Sequence, residues 1–205
     1  MIERAAIGWA IAVAVMALLW AWQRRSRNAA VAEAGWALLV AALGILYAVR
    51  SLDGMEGRRI AVASMTGSWG ARVAIYILYL RVIGKPEEPW YAARRETRGD
   101  TWFFWYFQAL AVAAVLASIP ALLSTANASP DFSTLELVAA GLWFIGFAGA
   151  ATADRQRLHF TMDPANAGLP CRVGLWRYSS HPQYVFEAIT WSAYVMLAVE
   201  AVRVL

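Results

Sequence analysis

The sequence predicts an all-α membrane protein, a bundle of about six helices that span the bilayer as one integral-membrane domain over residues 1–205. Of the 205 residues, 60% are hydrophobic and only 16% are charged, whereas soluble domains carry about a quarter charged residues. The apolar stretches are continuous and do not alternate, which argues against a transmembrane β-barrel. The eleven tryptophans fit this class, because aromatic rings favour membrane interfaces.

Each predicted helix corresponds to an apolar run of roughly the ~20 residues that a bilayer requires. The runs cover residues 5–22, 34–49, 60–80, 101–123, 137–153 and 184–205. A basic cluster follows the first run instead of preceding it, which is the wrong order for a cleavable signal peptide. Between the third and fourth runs, residues 85–95 predict a turn followed by a short interfacial helix.

The loops predict the orientation. Basic residues follow helices one, three and five, and the loop after helix four has no Lys or Arg. By the positive-inside rule the basic loops face the cytoplasm, so the N-terminus faces the other side of a bacterial inner membrane. The net charge of +4 is explained by these loops and requires no nucleic-acid partner, and the single cysteine excludes an internal disulfide.

The segment 153–187, between the last two predicted helices, is the first candidate site. It holds both histidines, the cysteine and four arginines. Arginines can bind phosphates and aromatic rings can stack on a base, so the segment fits a nucleotide. Interfacial Arg and Tyr also commonly anchor helix ends, and this alternative stays open. Two histidines 22 positions apart do not form a metal site, and the absence of GxGxxG excludes a Rossmann domain.

Two charged residues at the predicted helices are further candidates. Arg72 lies within the third run, where it is expected to bind an anionic group or form a structural ion pair. Tyr76, four residues on, shares its helix face. Glu33 at the start of helix two either caps that helix or acts in catalysis. A carboxylic acid in apolar surroundings can keep its proton and donate a hydrogen bond to a substrate oxygen.

Together these stretches resemble the steroid 5α-reductase-like membrane family, in its bacterial branch of unassigned substrate. The motifs ADRQRLHF and DPANAGLPCRVGLWRYSSHPQYVFE, within residues 153–187, are similar to the family signature ADxQxxxF, DPAN and GLWRYSRHPNYFGE. Upstream, Trp69–Arg72 is similar to its WGxR, residues 84–91 to its GkpEDxRY and residues 32–37 to its VDVGWA. The resemblance covers most of the chain, from Ala32 to Leu197.

The resemblance implies an integral-membrane reductase that transfers hydride from NADPH to a C=C bond conjugated to a ketone. Its substrate would be steroid-like or otherwise lipophilic and would enter from the bilayer. Glu33 occupies the position of the acid that binds the substrate carbonyl. Trp69 occupies the position of the tyrosine that assists it, although an indole donates a hydrogen bond without being an acid. The implied cofactor-binding residues are Arg72, Tyr76, Arg81, Asp154, Arg177, Tyr178, His181, Gln183, Tyr184 and Glu187.

Besides Trp69, the chain departs from the family pattern at three places. Gln183 replaces an asparagine, Phe186 replaces a glycine, and the family's last helix and cytoplasmic tail are expected to be missing after Leu205. Two other functions are therefore weighed. HPQY also resembles the motif of isoprenylcysteine and phospholipid methyltransferases, which use S-adenosylmethionine. A non-enzymatic membrane protein that binds lipid or nucleotide is the third hypothesis.

Overall fold

In the computed structural model, residues 1–204 are described and form six long helices without a β-strand, which confirms the predicted all-α class. The helices are α1 (Ile2–Ser26), α2 (Val31–Arg50), α3 (Glu56–Ile77), α4 (Pro89–Ala126), α5 (Thr134–Met162) and α6 (Pro182–Val204). Within these residues, five helices are long and apolar enough to cross a membrane. The remaining helix, α3, is more polar because it carries four charged and four hydroxyl side chains.

Helix α4 joins the predicted interfacial helix to the predicted fourth span. Pro89 begins the interfacial part at the first helical position, where its missing N–H leaves no hydrogen bond unmade. Gly99 separates the two parts with φ 66° and ψ −174°, a backbone conformation that residues with a Cβ rarely adopt. The glycine therefore permits the change of direction between a helix at the interface and a helix through the membrane.

The predicted end of this span near Leu123 is wrong, because the helix continues to Ala126. The small polar residues that suggested a loop satisfy their own hydroxyl groups inside the helix. Ser124 donates to the carbonyl oxygen of Pro120 at 2.7 Å, and Thr125 donates to that of Ala121 at 2.8 Å. Such bonds to the preceding turn allow a hydroxyl side chain to remain helical.

The chain divides into two compact units, residues 1–130 and 131–203, and the predicted single domain stays a prediction. In the first unit α2 is central: 67% of its most apolar stretch is buried, against 17% for α1. Helix α3 approaches α2 closely at Gly70, where a Cβ would lie 2.5 Å from the carbonyl oxygen of Ala37. Small residues at such contacts are typical of helix packing in membranes.

The second unit contains α5 and α6. The predicted end of the fifth helix at residue 153 is wrong, because α5 continues to Met162 and α6 begins at Pro182, so only residues 163–181 of the polar segment lie between the helices. Trp143 of α5 donates to the hydroxyl oxygen of Tyr194 in α6 at 3.0 Å. A 3-10 turn at Gly174–Arg177 is bound back onto the end of α5. Its Trp176 indole donates to the carbonyl oxygen of Ala153 at 2.9 Å, with a second bond of 2.8 Å from the Leu175 N–H to the Gln156 side chain. The polar segment is therefore fixed at one point.

Phe186, which replaces the family's glycine, packs its ring on Gly149 of α5. A Cβ at Gly149 would lie 2.1 Å from the Phe186 ring, so we expect Gly149→Ala to displace that ring and destabilise the protein by about 1–3 kcal/mol. The measurement is thermal unfolding of the purified protein in detergent. Gly141→Ala is the matched control, because a Cβ there meets no atom within 4 Å and should be neutral or stabilising by up to about 1 kcal/mol. Equal melting temperatures for the two variants would contradict this packing.

Candidate active site

A cluster of ionisable and hydroxyl side chains surrounds Glu33 in the first turn of α2. Arg81 donates to Glu33 from both terminal nitrogens, with 3.2 Å between Nη2 and Oε1, and to Glu88, with 2.7 Å between Nη2 and Oε2. The Tyr91 hydroxyl donates to Glu33 Oε1 and lies 3.1 Å from the Tyr106 hydroxyl. We call these five residues the Glu33 cluster.

Backbone contacts fix the position of Arg81. It lies in a π-helical turn, Leu78–Val82, that follows α3, and such turns are frequent at functional sites. Buried Asn28 donates from Nδ2 to the carbonyl oxygen of Arg81 at 2.8 Å and accepts from the N–H of Ala30 at 3.1 Å. The same asparagine therefore binds both the start of α2 and the turn that carries Arg81. These two bonds keep the Glu33 and Arg81 side chains close together.

The two glutamates of the stretch Lys85–Pro89 have different partners. Glu88 binds Arg81, whereas Glu87 accepts from the N–H of Ala29 at 3.0 Å and from Arg95 Nε at 3.0 Å. Arg95 also donates from Nη2 to the Gln23 side chain at 2.8 Å. This second ion pair ties the interfacial part of α4 to the junction of α1 and α2. The Glu87–Arg95 pair therefore holds the elements next to the Glu33 cluster in place but is not itself part of the cluster.

Arg81 remains a cation between two carboxylates. Burial would lower the pKa of its guanidinium, but the hydrogen bonds that it donates to Glu88 and Glu33 outweigh burial and raise the pKa above its ordinary value. Glu33 accepts three hydrogen bonds, two from Arg81 and one from Tyr91. The hydroxyls of Tyr91 and Tyr106 extend from Glu33 as a hydrogen-bonded chain. Along such a chain, the outer hydroxyl can donate a hydrogen bond to a neighbouring oxygen, and protons can pass between the hydroxyls and the Glu33 carboxyl group.

The predicted residues of α3 lie next to the helix that carries Glu33. Trp69 is 2% exposed, and its ring meets the edge of the Trp36 ring with 5.6 Å between centroids. Trp36 is one turn beyond Glu33 on α2, and its buried indole N–H has no hydrogen-bond partner in the described part of the chain. Arg72 and Tyr76 are half-buried further along α3.

The predicted residues of the second unit lie at the end of α5 and the start of α6. Asp154 is buried in α5, while the rings of His181 and Tyr184 stack with an interplanar angle of 1° and 5.3 Å between centroids. Gln183 and Glu187 are half-buried, one turn apart on α6. The Gln183 Oε1 atom is buried and has no hydrogen-bond partner among residues 1–204. A free acceptor therefore lies beside a stacked aromatic pair.

The structure does not gather all predicted residues of this unit. Arg177 is exposed, and Tyr178 is 87% exposed. Within the described residues, neither side chain makes a hydrogen bond, an ion pair or a ring contact. Their part in binding a cofactor stays a prediction.

Comparison with known proteins places the chain in a family. The family model described as "Protein of unknown function (DUF1295)" matches residues 19–205. The chain belongs to the DUF1295 family. The match includes all five residues of the Glu33 cluster and the polar segment 153–187, so both candidate regions of this DUF1295 member lie inside the family's extent. No curated protein and no solved structure matches the chain.

Sequence reasoning missed three members of the Glu33 cluster, namely Glu88, Tyr91 and Tyr106. Two of them carried a usable signal, because Glu88 immediately precedes α4 and Tyr91 lies in its first turn, both within the stretch 84–91 that resembles the family motif. Tyr106 is uncharged and lies within an aromatic-rich apolar run. Nothing in its sequence context distinguishes it from a residue that anchors the helix at the interface.

Proposed function

We propose that this DUF1295 protein is a membrane reductase that transfers hydride from NADPH to a C=C bond conjugated to a ketone. The observation that supports the proposal is the hydrogen-bonded chain of Glu33, Tyr91 and Tyr106 with Arg81 fixed behind the carboxylate. This arrangement of side chains supports the proposal independently of the resemblance of the sequence to steroid 5α-reductase-like enzymes. The substrate would be a steroid-like or other lipophilic ketone.

The chemistry of enone reduction requires a donor at the ketone oxygen. Hydride attack on the β-carbon moves an electron pair onto that oxygen, and a donor placed there beforehand lowers the barrier. The half-buried Tyr106 would turn its hydroxyl to the ketone oxygen, because Tyr91 is 1% exposed and donates its only proton to Glu33. Tyr91 would then donate to Tyr106, and Glu33 would exchange a proton with Tyr91. Arg81 acts on Glu33 and is a positioning residue in this proposal, since Glu33 and Glu88 occupy its donors.

Considered by itself, the second unit offers groups that suit a nicotinamide cofactor. The free Gln183 Oε1 suits an amide N–H such as that of a nicotinamide, and the stacked His181 and Tyr184 offer a ring face. The exposed guanidinium of Arg177 suits a phosphate. With the positive-inside orientation, this end of α5 and α6 would face the cytoplasm, where the cofactor is found.

A ligand test separates the three hypotheses for the whole chain in detergent. NADPH is expected to raise the melting temperature, because a ligand at a hundred times its Kd stabilises the folded state by about 2.7 kcal/mol. Gln183→Leu keeps the volume but removes the free acceptor, so we expect it to lose most of that increase.

The other outcomes contradict the proposal in distinct ways. An increase with S-adenosylmethionine in place of NADPH would support the methyltransferase. No increase with either compound would support a non-enzymatic protein. Ser192→Ala, an exposed change in the same helix, is the control for general effects on α6.

A further inference from the structure

A basic groove lies at the end of α1, away from the Glu33 cluster. Its volume is about 630 Å³, within the range of small-molecule sites. Three arginines face one acid across it. The lining residues are Ala21, Trp22, Arg24, Arg25, Arg27 and Asp100.

Two of the three arginines have no side-chain partner in the described part of the chain. Arg24 is held by Asp100, with 3.2 Å between Nε and Oδ2, and its guanidinium lies over the Trp20 ring, 5.3 Å from the centroid. Arg25 and Arg27 are exposed, and neither side chain makes an ion pair, hydrogen bond or ring contact within residues 1–204. The groove therefore carries two guanidinium groups whose donors are available to an anion.

The backbone keeps these groups together at the end of α1. Arg27 has φ 52° and ψ 38°, a left-handed conformation that is uncommon outside glycine. Its N–H donates to the carbonyl oxygen of Gln23 at 2.8 Å, which ends the helix and returns Arg27 toward the last turn. Asp100 lines the same groove from α4, directly after the bend at Gly99.

The position of the groove indicates what anion would reach it. Only 17% of the apolar stretch of α1 is buried, so most of that helix is available to lipid. Trp22, in the groove wall, is 48% exposed, and tryptophan at the end of such a helix is typical of the headgroup level. Three arginines and one aspartate leave a charge of +2, which suits a headgroup with a net negative charge.

We propose that this groove binds the headgroup phosphate of an anionic phospholipid. Arg25 and Arg27 would bind the phosphate oxygens, while Arg24, held by Asp100, completes the positive wall. Basic clusters at the ends of membrane helices also occur without any bound ligand, as a determinant of orientation. The two explanations differ in their consequence, because only a binding site gives an affinity that depends on these two side chains.

The test titrates the whole chain in neutral detergent with phosphatidylglycerol and follows its melting temperature. Each Lys or Arg contributes about a factor of five to binding an anionic surface, so Arg25→Gln combined with Arg27→Gln should weaken the apparent affinity roughly thirty-fold. Arg25→Lys with Arg27→Lys should retain most of it, since an ammonium keeps the charge. Phosphatidylcholine and inorganic phosphate should cause little or no increase in melting temperature.

The matched control removes two charges elsewhere. Arg50→Gln with Arg203→Gln changes two exposed arginines outside the groove and should leave the affinity unchanged. A loss of affinity in this control equal to that in the groove variant would overturn the proposal in favour of general surface charge. Equal effects of phosphatidylcholine would remove the selectivity for anionic lipid. An equal effect of inorganic phosphate would assign the groove to a free anion instead.

Discussion

Replacing Glu33 by glutamine is expected to abolish reduction of an enone while NADPH still binds. The amide cannot exchange a proton with Tyr91, and the loss of such a group typically costs about 10²–10⁴-fold in rate. Arg81 keeps its contacts with Glu88 in this variant, so its position should change little. The measurements are NADPH oxidation with a panel of lipophilic enones, and the increase in melting temperature that NADPH causes.

The control for this variant is Glu56→Gln. Glu56 is an exposed glutamate in the first turn of α3 and therefore undergoes the same chemical change at the start of a neighbouring helix. It should retain both activity and binding. If Glu33→Gln loses NADPH binding as well, its role as a proton-exchanging group is wrong. Unchanged turnover would also contradict the role and leave Glu33 as a structural partner of Arg81 and Tyr91.

The helices could be predicted because the membrane imposes a simple rule on the sequence. A span needs continuous apolar residues, and each of the six predicted runs lies largely within a helix of the structure. The errors concern the ends. Ser124 and Thr125 looked like loop residues, but a hydroxyl can bond within the helix, and composition alone does not show whether it does.

The candidate site could be predicted only in part. Glu33 and Arg81 were both identified from the sequence, but with separate roles, one for the substrate and one for the cofactor. Their pairing across 48 positions depends on the π-helical turn and on Asn28, and neither has a recognisable pattern. Phe186 was identified from the sequence only as a departure from the family's glycine. Gly149, on the facing helix, accepts the ring, and a single sequence cannot show such compensation.

Replacing Arg81 by methionine should have the largest effect on stability. The change removes the cation between Glu33 and Glu88 and leaves two carboxylates close together. Their side chains are 29% and 40% exposed, so water relieves part of the repulsion. Breaking a buried pair costs 3–5 kcal/mol, and the lower value of about 3 kcal/mol is appropriate here. For a chain of this size, the melting temperature should fall by roughly 6–12 °C.

Three further variants test whether this loss comes from the two carboxylates. Arg81→Lys should lose less, because an ammonium keeps the charge but cannot bind both carboxylates through a planar group. Adding Glu88→Gln to Arg81→Met should restore part of the stability, since one of the two facing charges is then removed. Arg203→Gln breaks an exposed pair with Glu200 and should change stability by at most about 1 kcal/mol. Independent, additive effects of Arg81→Met and Glu88→Gln would show that the loss does not come from repulsion between the two carboxylates.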